Sequence, residues 1–218
     1  MFDGLVERYD LVNDALSLGL DRRWRRATAR AVRAKPGELV LDLGVGTGRL
    51  AASLPAGVRC VGVDLSSAML RRARRRVGPS ISLVQGSASR LPFRSGSLDR
   101  AVSSFVLRNL ADLGEAFAEL ARVVRPGGSI AVVDITPPRN RALRALFEGY
   151  FAAAAPLLGR MVGRSDAYRY LVRSVTRLPP AEDVCRMMTW AGFERCRFRP
   201  LTGGVTTLWT ATRRSPRS

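Results

Sequence analysis

Two carboxylates, Asp42 and Asp64, sit at the carboxyl ends of short apolar runs, Leu39-Val40-Leu41-Asp42-Leu43 and Val61-Gly62-Val63-Asp64. Between the runs lies Gly44-Val45-Gly46-Thr47-Gly48. Glycines let a backbone approach a bound molecule closely, and a carboxylate closing the neighbouring strand can accept both hydroxyls of a ribose. The glycine spacing chooses between nucleotide-like ligands. A dinucleotide fingerprint places glycine at the first, third and sixth positions, whereas here the sixth is Arg49 and the third glycine comes early, at Gly48. This G-x-G-x-G spacing favours S-adenosylmethionine, which carries no pyrophosphate and tolerates an acid, Asp42, near its cationic amino acid end. The bland alternative is a tight strand-to-helix turn with an incidental acid downstream.

Those residues need a frame that brings them together. Residues 1 to 34 read as helical, and Pro36-Gly37 breaks the helix. Strand and helix patterns then alternate: strand 39 to 43, helix 48 to 54, strand 59 to 63, helix 67 to 76, strands 81 to 84 and 98 to 105, helix 112 to 124, strand 129 to 134. Alternation of this kind builds right-handed crossovers and an α/β fold, a doubly wound, mostly parallel, seven-stranded Rossmann-like sheet covered on both faces. A helix from 180 to 191 and strands near 193 to 199 and 205 to 212 should close it as an antiparallel pair. From Arg139 to Gly163 a helical pattern shows a broad apolar surface, Leu143, Leu146, Phe147, Tyr150, Phe151, Ala154, Leu157 and Leu158, readable as a packed core helix or as a lid. The tail from Arg213 to Ser218 reads as disordered.

In such a sheet the ligand lies across the carboxyl ends of the strands. That geometry nominates Gly86-Ser87-Ala88 after the third strand, with Ser87 near the adenine amino group, and the segment from Ser104 to Asn109 after the fourth. Arg108 and Asn109 follow the apolar run Phe105-Val106-Leu107, where polar groups are costly unless they meet water or a ligand.

Composition bounds the rest. At 218 residues and 46% hydrophobic, the chain suits one domain. It shows no apolar run long enough to span a bilayer and no leader of secretory type, which points to a cytoplasmic protein. There is no histidine, and Cys60, Cys185 and Cys196 lack C-x-x-C spacing, so no metal site is expected and the cysteines read as small buried hydrophobes. The net charge of +18 attracts phosphates on nucleic acid or on an anionic membrane. Yet Lys35 is the only lysine among 36 basic residues, a skew that a GC-rich genome explains equally well. The densest run, Arg71-Arg72-Ala73-Arg74-Arg75-Arg76, reads as a solvated helix face.

The chain resembles the C-methyltransferases of menaquinone and ubiquinone biosynthesis, the demethylmenaquinone methyltransferase family, whose members are class I enzymes. The likeness runs almost end to end. It is carried by Phe2-Asp3, Tyr9-Asp10-Leu11-Val12-Asn13, Leu16-Ser17-Leu18-Gly19, Trp24-Arg25, the loop from Leu41 to Gly48, Leu91-Pro92-Phe93, Leu107-Arg108-Asn109 and Arg125-Pro126-Gly127-Gly128. Toward the end come Tyr168-Arg169-Tyr170-Leu171, Ser174, Ala191-Gly192-Phe193 and Leu201-Thr202-Gly203-Gly204-Val205. The resemblance implies a single methyltransferase domain over 1 to 218, with a helical cap at 1 to 34 and a helical lid at 139 to 178. Thr47, Asp64, Ser87, Ala88 and Ser104 would contact S-adenosylmethionine, and Arg108 and Asn109 would face a polyprenylated quinol. The chain departs from the pattern at Ser87, where members usually carry asparagine or aspartate. It departs again at Thr207-Leu208-Trp209, where they commonly carry histidine.

The expected reaction is methylation of a ring carbon of demethylmenaquinol, with Arg108 stabilising the phenolate and Asn109 orienting its oxygen. Asp134 and Asp166 are weaker candidates for a base. Peripheral contact with the inner face of an anionic membrane is expected, and a homodimer is left open. The rivals are a methyltransferase for another phenolic or polyketide acceptor, which product analysis separates; a non-catalytic binding module, which would hold the cofactor and transfer nothing; and a nucleic-acid methyltransferase. The last is disfavoured, because Ser103-Ser104-Phe105-Val106 replaces the Asn-Pro-Pro-aromatic motif of amino-methylating DNA enzymes.

Overall fold

The computed structural model describes residues 9 to 162 and 178 to 215. Phe2-Asp3, Asp166, Tyr168 to Leu171, Ser174 and the end of the tail lie outside the described residues, as does the second part of the expected lid.

The helices are α1 (Tyr9–Leu16), α2 (Asp21–Ala31), α3 (Ser67–Val77), α4 (Leu113–Val123), α5 (Arg141–Val162) and α6 (Ala181–Trp190). The strands are β1 (Leu39–Leu43), β2 (Arg59–Asp64), β3 (Ile81–Gln85), β4 (Leu98–Ser104), β5 (Val124–Ile135), β6 (Phe193–Leu201) and β7 (Thr206–Arg213). They form one seven-stranded sheet in the order β3-β2-β1-β4-β5-β7-β6. The first five strands are parallel, and β7 runs antiparallel to both β5 and β6. This is the doubly wound architecture that the alternating pattern predicts, with the order reversing between β1 and β4. A crevice opens at that switch point, beyond the carboxyl ends of the two strands.

Period-two alternation sorts β1 between two cores. Leu41 and Leu43 join Phe117 and Leu120 of α4, Met188 of α6 and Trp209 in the larger cluster. Val40 faces the other side, with Trp24, Ala29, Leu50, Val102 and Leu208 beneath α2. Asp42 shares that second face and is fully buried. Helix starts are capped where the sequence supplies an oxygen: Ser66 accepts from the Met69 amide at 3.2 Å, and Asp112 accepts from the Glu115 amide at 3.0 Å.

Three expectations are corrected. The helix expected over 48 to 54 is a single 3-10 turn, Ala51–Ser53. Gly44, Gly46 and Gly48 all take positive φ and Pro55 follows, so little chain is left to propagate a helix. The fifth strand begins at Val124 rather than 129, absorbing Pro126-Gly127-Gly128 as a shift in its pairing with β4. Cys185 and Cys196, expected as small buried hydrophobes, are joined in a disulfide between α6 and β6. Cys60 is buried in β2, as expected.

Gly62, in the middle of β2, lets the glycine loop lie against the sheet. A Cβ there would stand 2.7 Å from Val45 Cγ2 and 3.0 Å from Leu83 Cδ2. Gly62→Ala is therefore expected to lower stability by roughly 1–3 kcal/mol and to drop the melting temperature by several degrees. A melting curve superimposable on the parent's would contradict that close approach.

Candidate active site

The glycine loop is pinned to β2 before any ligand is considered. The Gly44 and Val45 amides both donate to the Val63 carbonyl, at 2.8 and 2.9 Å. The Gly46 amide donates to Asp64 Oδ2 at 2.8 Å, and the Ser66 amide to Asp64 Oδ1 at 2.9 Å. Burial pushes the Asp64 carboxyl up, and these amides oppose that shift. The resulting cleft encloses about 200 Å³. Of the residues singled out in the sequence, Gly44, Gly46, Thr47, Asp64, Ala88, Ser104 and Asn109 line it together.

Others fall elsewhere. Gly48 packs with φ +81° against α3, where a Cβ would come within 2.9 Å of Val77 Cγ1. Ser87 does not line the cleft; its hydroxyl lies 2.9 Å from that of Ser89. Asp42 lies beneath the loop. Neither of its carboxylate oxygens has a hydrogen bond of normal length among the described residues. Burial pushes this carboxyl up to about 7, partly offset by the Arg25 guanidinium and the Ala51 amide.

A charged network that sequence reasoning missed closes the loop from outside. Thr47 Oγ1 donates to Asp10 Oδ1 of α1 at 2.7 Å and accepts from Arg76 Nη1 at 2.8 Å, while Arg76 Nη2 reaches Asp10 Oδ2 at 2.7 Å. Arg49 Nη1 bridges Asp14 at 2.6 Å and Asp21 at 2.8 Å. Burial alone would raise the Asp10 carboxyl, but hydrogen bonds from Arg76 and Thr47 and the charge of Arg49 hold it below the usual carboxylate range. Part of the arginine run is therefore not a plain solvated face: Arg72 and Arg76, one turn apart, both address Asp10. Their i, i+4 spacing was the available signal.

A second cavity of about 340 Å³ adjoins the first. Leu16, Leu18, Leu20, Trp24, Ile135, Leu143, Leu146, Phe147, Tyr150 and Val205 give it apolar walls. The part of α5 whose side chains are described covers this cavity, and Tyr150 ties it to α1 by donating to the Ala15 and Leu16 carbonyls at 3.2 Å. Arg108 lines this cavity, whereas Asn109 lines the polar cleft instead. Arg108 and Asp134, read from sequence as separate candidates, are one buried ion pair. Asp134 also accepts from the Arg108 amide at 3.1 Å and the Ile135 amide at 2.7 Å. Thr207, Leu208 and Trp209 line neither cavity.

Among the described residues, only Arg25 and Phe105 border both cavities. Phe105 follows the last residue of β4 with φ +63°, a conformation that side chains rarely adopt and that a site must hold in place. Its amide donates to the Val133 carbonyl at 2.8 Å, and its ring lies under the Arg25 guanidinium at 4.9 Å. Arg25 Nη1 in turn donates to Ser104 Oγ at 2.6 Å.

Comparison with known proteins agrees with this geometry. The profile of the ubiE/COQ5 methyltransferase family matches residues 1 to 213. A demethylmenaquinone methyltransferase of Mycobacterium sp. (strain KMS) is 42% identical over 213 residues, covering 97% of this chain and 91% of the relative. One from Streptomyces avermitilis is 40% identical over 212 residues, covering 95% and 90%. Among solved structures, a SAM-dependent methyltransferase from Aquifex aeolicus overlays with a TM-score of 0.64 at 16% identity, covering 88% of this chain and 91% of the other, a likeness of fold alone.

The raised Asp42 carboxyl makes a pH-dependent prediction. An unfolded aspartate ionises near 3.9, so between about pH 4 and pH 7 the native state binds more protons than the unfolded one. The stability this group contributes is full below pH 4 and lost as pH rises through 7. Asp42→Asn removes the effect, so the variant should gain on the parent by roughly 1 kcal/mol or more between pH 4.5 and pH 8 in denaturant unfolding. An unchanged difference between the two proteins at both pH values would contradict this account.

Proposed function

This chain belongs to the ubiE/COQ5 methyltransferase family, and from that premise we propose that it methylates a ring carbon of demethylmenaquinol, a polyprenylated naphthoquinol, in menaquinone biosynthesis. The observation that carries this reading is the meeting of a polar cleft and an apolar cavity at Phe105 and Arg25. A quinol with an isoprenoid tail needs an apolar chamber, and its ring must lie beside the methyl donor.

The residues present fit S-adenosylmethionine. The Asp42 carboxylate, buried with no hydrogen bond of normal length among the described residues, suits a cationic amino acid group close by, and the backbone around Gly44 leaves no room for a Cβ against Val106. When bound, this cofactor supplies an electrophilic methyl carbon. Gly44, Gly46, Thr47, Asp64, Ala88 and Ser104 would hold it, with Asp64 taking the ribose hydroxyls through its remaining lone pairs. Ser87 and Gly48 shape the turns that flank the cleft. On the acceptor side, Arg108 would donate to a ring oxygen from the cavity wall, its orientation fixed by Asp134. Asn109 would act from the donor side of Phe105. The leucines and Phe147 exclude water, which strengthens every electrostatic interaction inside.

The finer part of the proposal concerns the membrane that supplies such a lipid. No helix among the described residues is long and apolar enough to cross a bilayer. Leu18 and Leu146 both line the apolar cavity, yet they are 74% and 70% exposed. Arginines flank them in sequence, Arg22 after Leu18 and Arg144 before Leu146, both exposed and in surface pairs with Asp14 and Glu148 that an anionic headgroup would have to displace. This edge is suited to dip into an anionic leaflet, at roughly 1 kcal/mol per basic residue near the surface.

One assay tests both parts. Purified protein is incubated with labelled S-adenosylmethionine and demethylmenaquinol carried in vesicles, either anionic or neutral, at low and high salt. Label should appear in menaquinol, faster from anionic vesicles, with the advantage lost at high salt. A protein that leaves the quinol unlabelled from every vesicle contradicts the methylation; equal rates from both lipids contradict the membrane contact.

A further inference from the structure

Methylating a phenolic ring carbon requires negative charge on the neighbouring oxygen, and the chain has no histidine to manage it. Arg108 is the stabiliser that the sequence suggests. Its charge, however, is already met by Asp134, which is fully buried and bound to it through both a side-chain and a backbone hydrogen bond. Such a pair offers direction more than net charge.

Arg25 differs in three ways. It borders both cavities, so its guanidinium stands where donor and acceptor would meet, whereas Arg108 borders only the apolar one. Its carboxylate partner is shared: Asp21 Oδ2 lies 3.3 Å from Arg25 Nε and 2.8 Å from Arg49 Nη1, so Arg49 takes the closer contact. Its Nη1 is aimed by Ser104 Oγ at 2.6 Å and its plane by the Phe105 ring at 4.9 Å, while Nη2 has no hydrogen bond among the described residues. A guanidinium held on two sides with one edge free is a preorganised donor.

We propose that Arg25, rather than Arg108, supplies the net positive charge that meets the anionic oxygen of the acceptor at the boundary of the two cavities. The assignment rests on the proposed methylation of a quinol. Arg108 with Asp134 then orients the ring, and Arg25 favours the ionised form.

The test reads ionisation directly instead of turnover. Among the described residues, the charged groups around Arg25 are Asp21 on its own helix, Asp42 on β1, Arg49 beyond the glycine loop, and the pair of Arg108 and Asp134 at the ends of β4 and β5. Because Asp42 titrates near 7, a pH-rate profile would mix two events. The absorbance of bound 1-naphthol reports only its own proton. Titrated with S-adenosylhomocysteine present, the parent should lower the naphthol pKa by about one unit or more from its value in water, as a cation within contact distance does. Arg25→Gln should restore most of that value, and Arg25→Lys should keep part of the depression. Arg108→Gln should change it much less.

A parent that fails to bind the naphthol or to lower its pKa overturns the assignment. So does an Arg25→Gln protein with the depression intact, or an Arg108→Gln protein that loses it as fully. If the quinol is not methylated while the naphthol shift holds, the fault lies with the substrate and not with Arg25. Should Arg25→Gln fail to fold, Arg25→Lys decides the matter: a partly reduced depression supports the role, and a depression equal to the parent's or none at all overturns it.

Discussion

The structure depends on a boundary one side chain thick between two environments of opposite polarity. Phe105 forms that boundary. It sits where β4 ends, its backbone turned to φ +63° and its amide held by the Val133 carbonyl, so the ring projects between the polar cleft and the apolar cavity. Trp24 packs edge-on against it at 6.1 Å, while the Arg25 and Arg108 guanidiniums stand 4.9 and 5.9 Å from its centroid. An aromatic face attracts cations, so one ring helps to place two arginines that would otherwise repel each other in a buried site.

The surrounding elements act as supports for that boundary. The strand order reverses between β1 and β4, which opens the sheet where Phe105 stands. The glycine loop fills one side of the opening by lying close to β2, which Gly62 permits. On the other side, α2 contributes Trp24 and Arg25, and α5 covers the apolar cavity as far as its side chains are described. The first helix is drawn onto the loop by Asp10, Thr47 and Arg76, and Arg49 gathers Asp14 and Asp21 beneath it. Much of the arginine excess near the site is therefore internal wiring. Arg22 and Arg144, exposed beside Leu18 and Leu146, pair instead with Asp14 and Glu148 at the surface.

Features that depend on neighbours along the chain are legible in the amino-acid sequence. Apolar runs of five or six residues with turn residues at each end mark β1 and β2 to within a residue. The glycine loop and Asp64 can be read because their chemistry is packed into a short span. What escapes such a reading depends on distant partners. Arg108 and Asp134 are 26 residues apart and meet only because β4 and β5 are paired in parallel with Ser104 opposite Val133. Arg25 and Ser104 lie 79 apart on a helix and a strand, and no local pattern links them. The helix expected after Gly48 fails for a different reason, since helical spacing of apolar residues cannot outweigh three glycines with positive φ. Cys185 and Cys196, eleven residues apart, follow no spacing rule that would announce a bond.

The central claim is spatial: donor and acceptor meet at Phe105. A crystal structure of the protein with S-adenosylhomocysteine and demethylmenaquinone addresses it most directly. The account predicts the homocysteine sulfur in the polar cleft and the naphthoquinone ring in the apolar cavity, with the methyl-accepting carbon about 5 Å from the sulfur across the edge of the Phe105 ring, close enough for a methyl group to bridge them. A ring bound elsewhere on the protein, or one seated in that cavity with its accepting carbon turned away from the cleft, would contradict it.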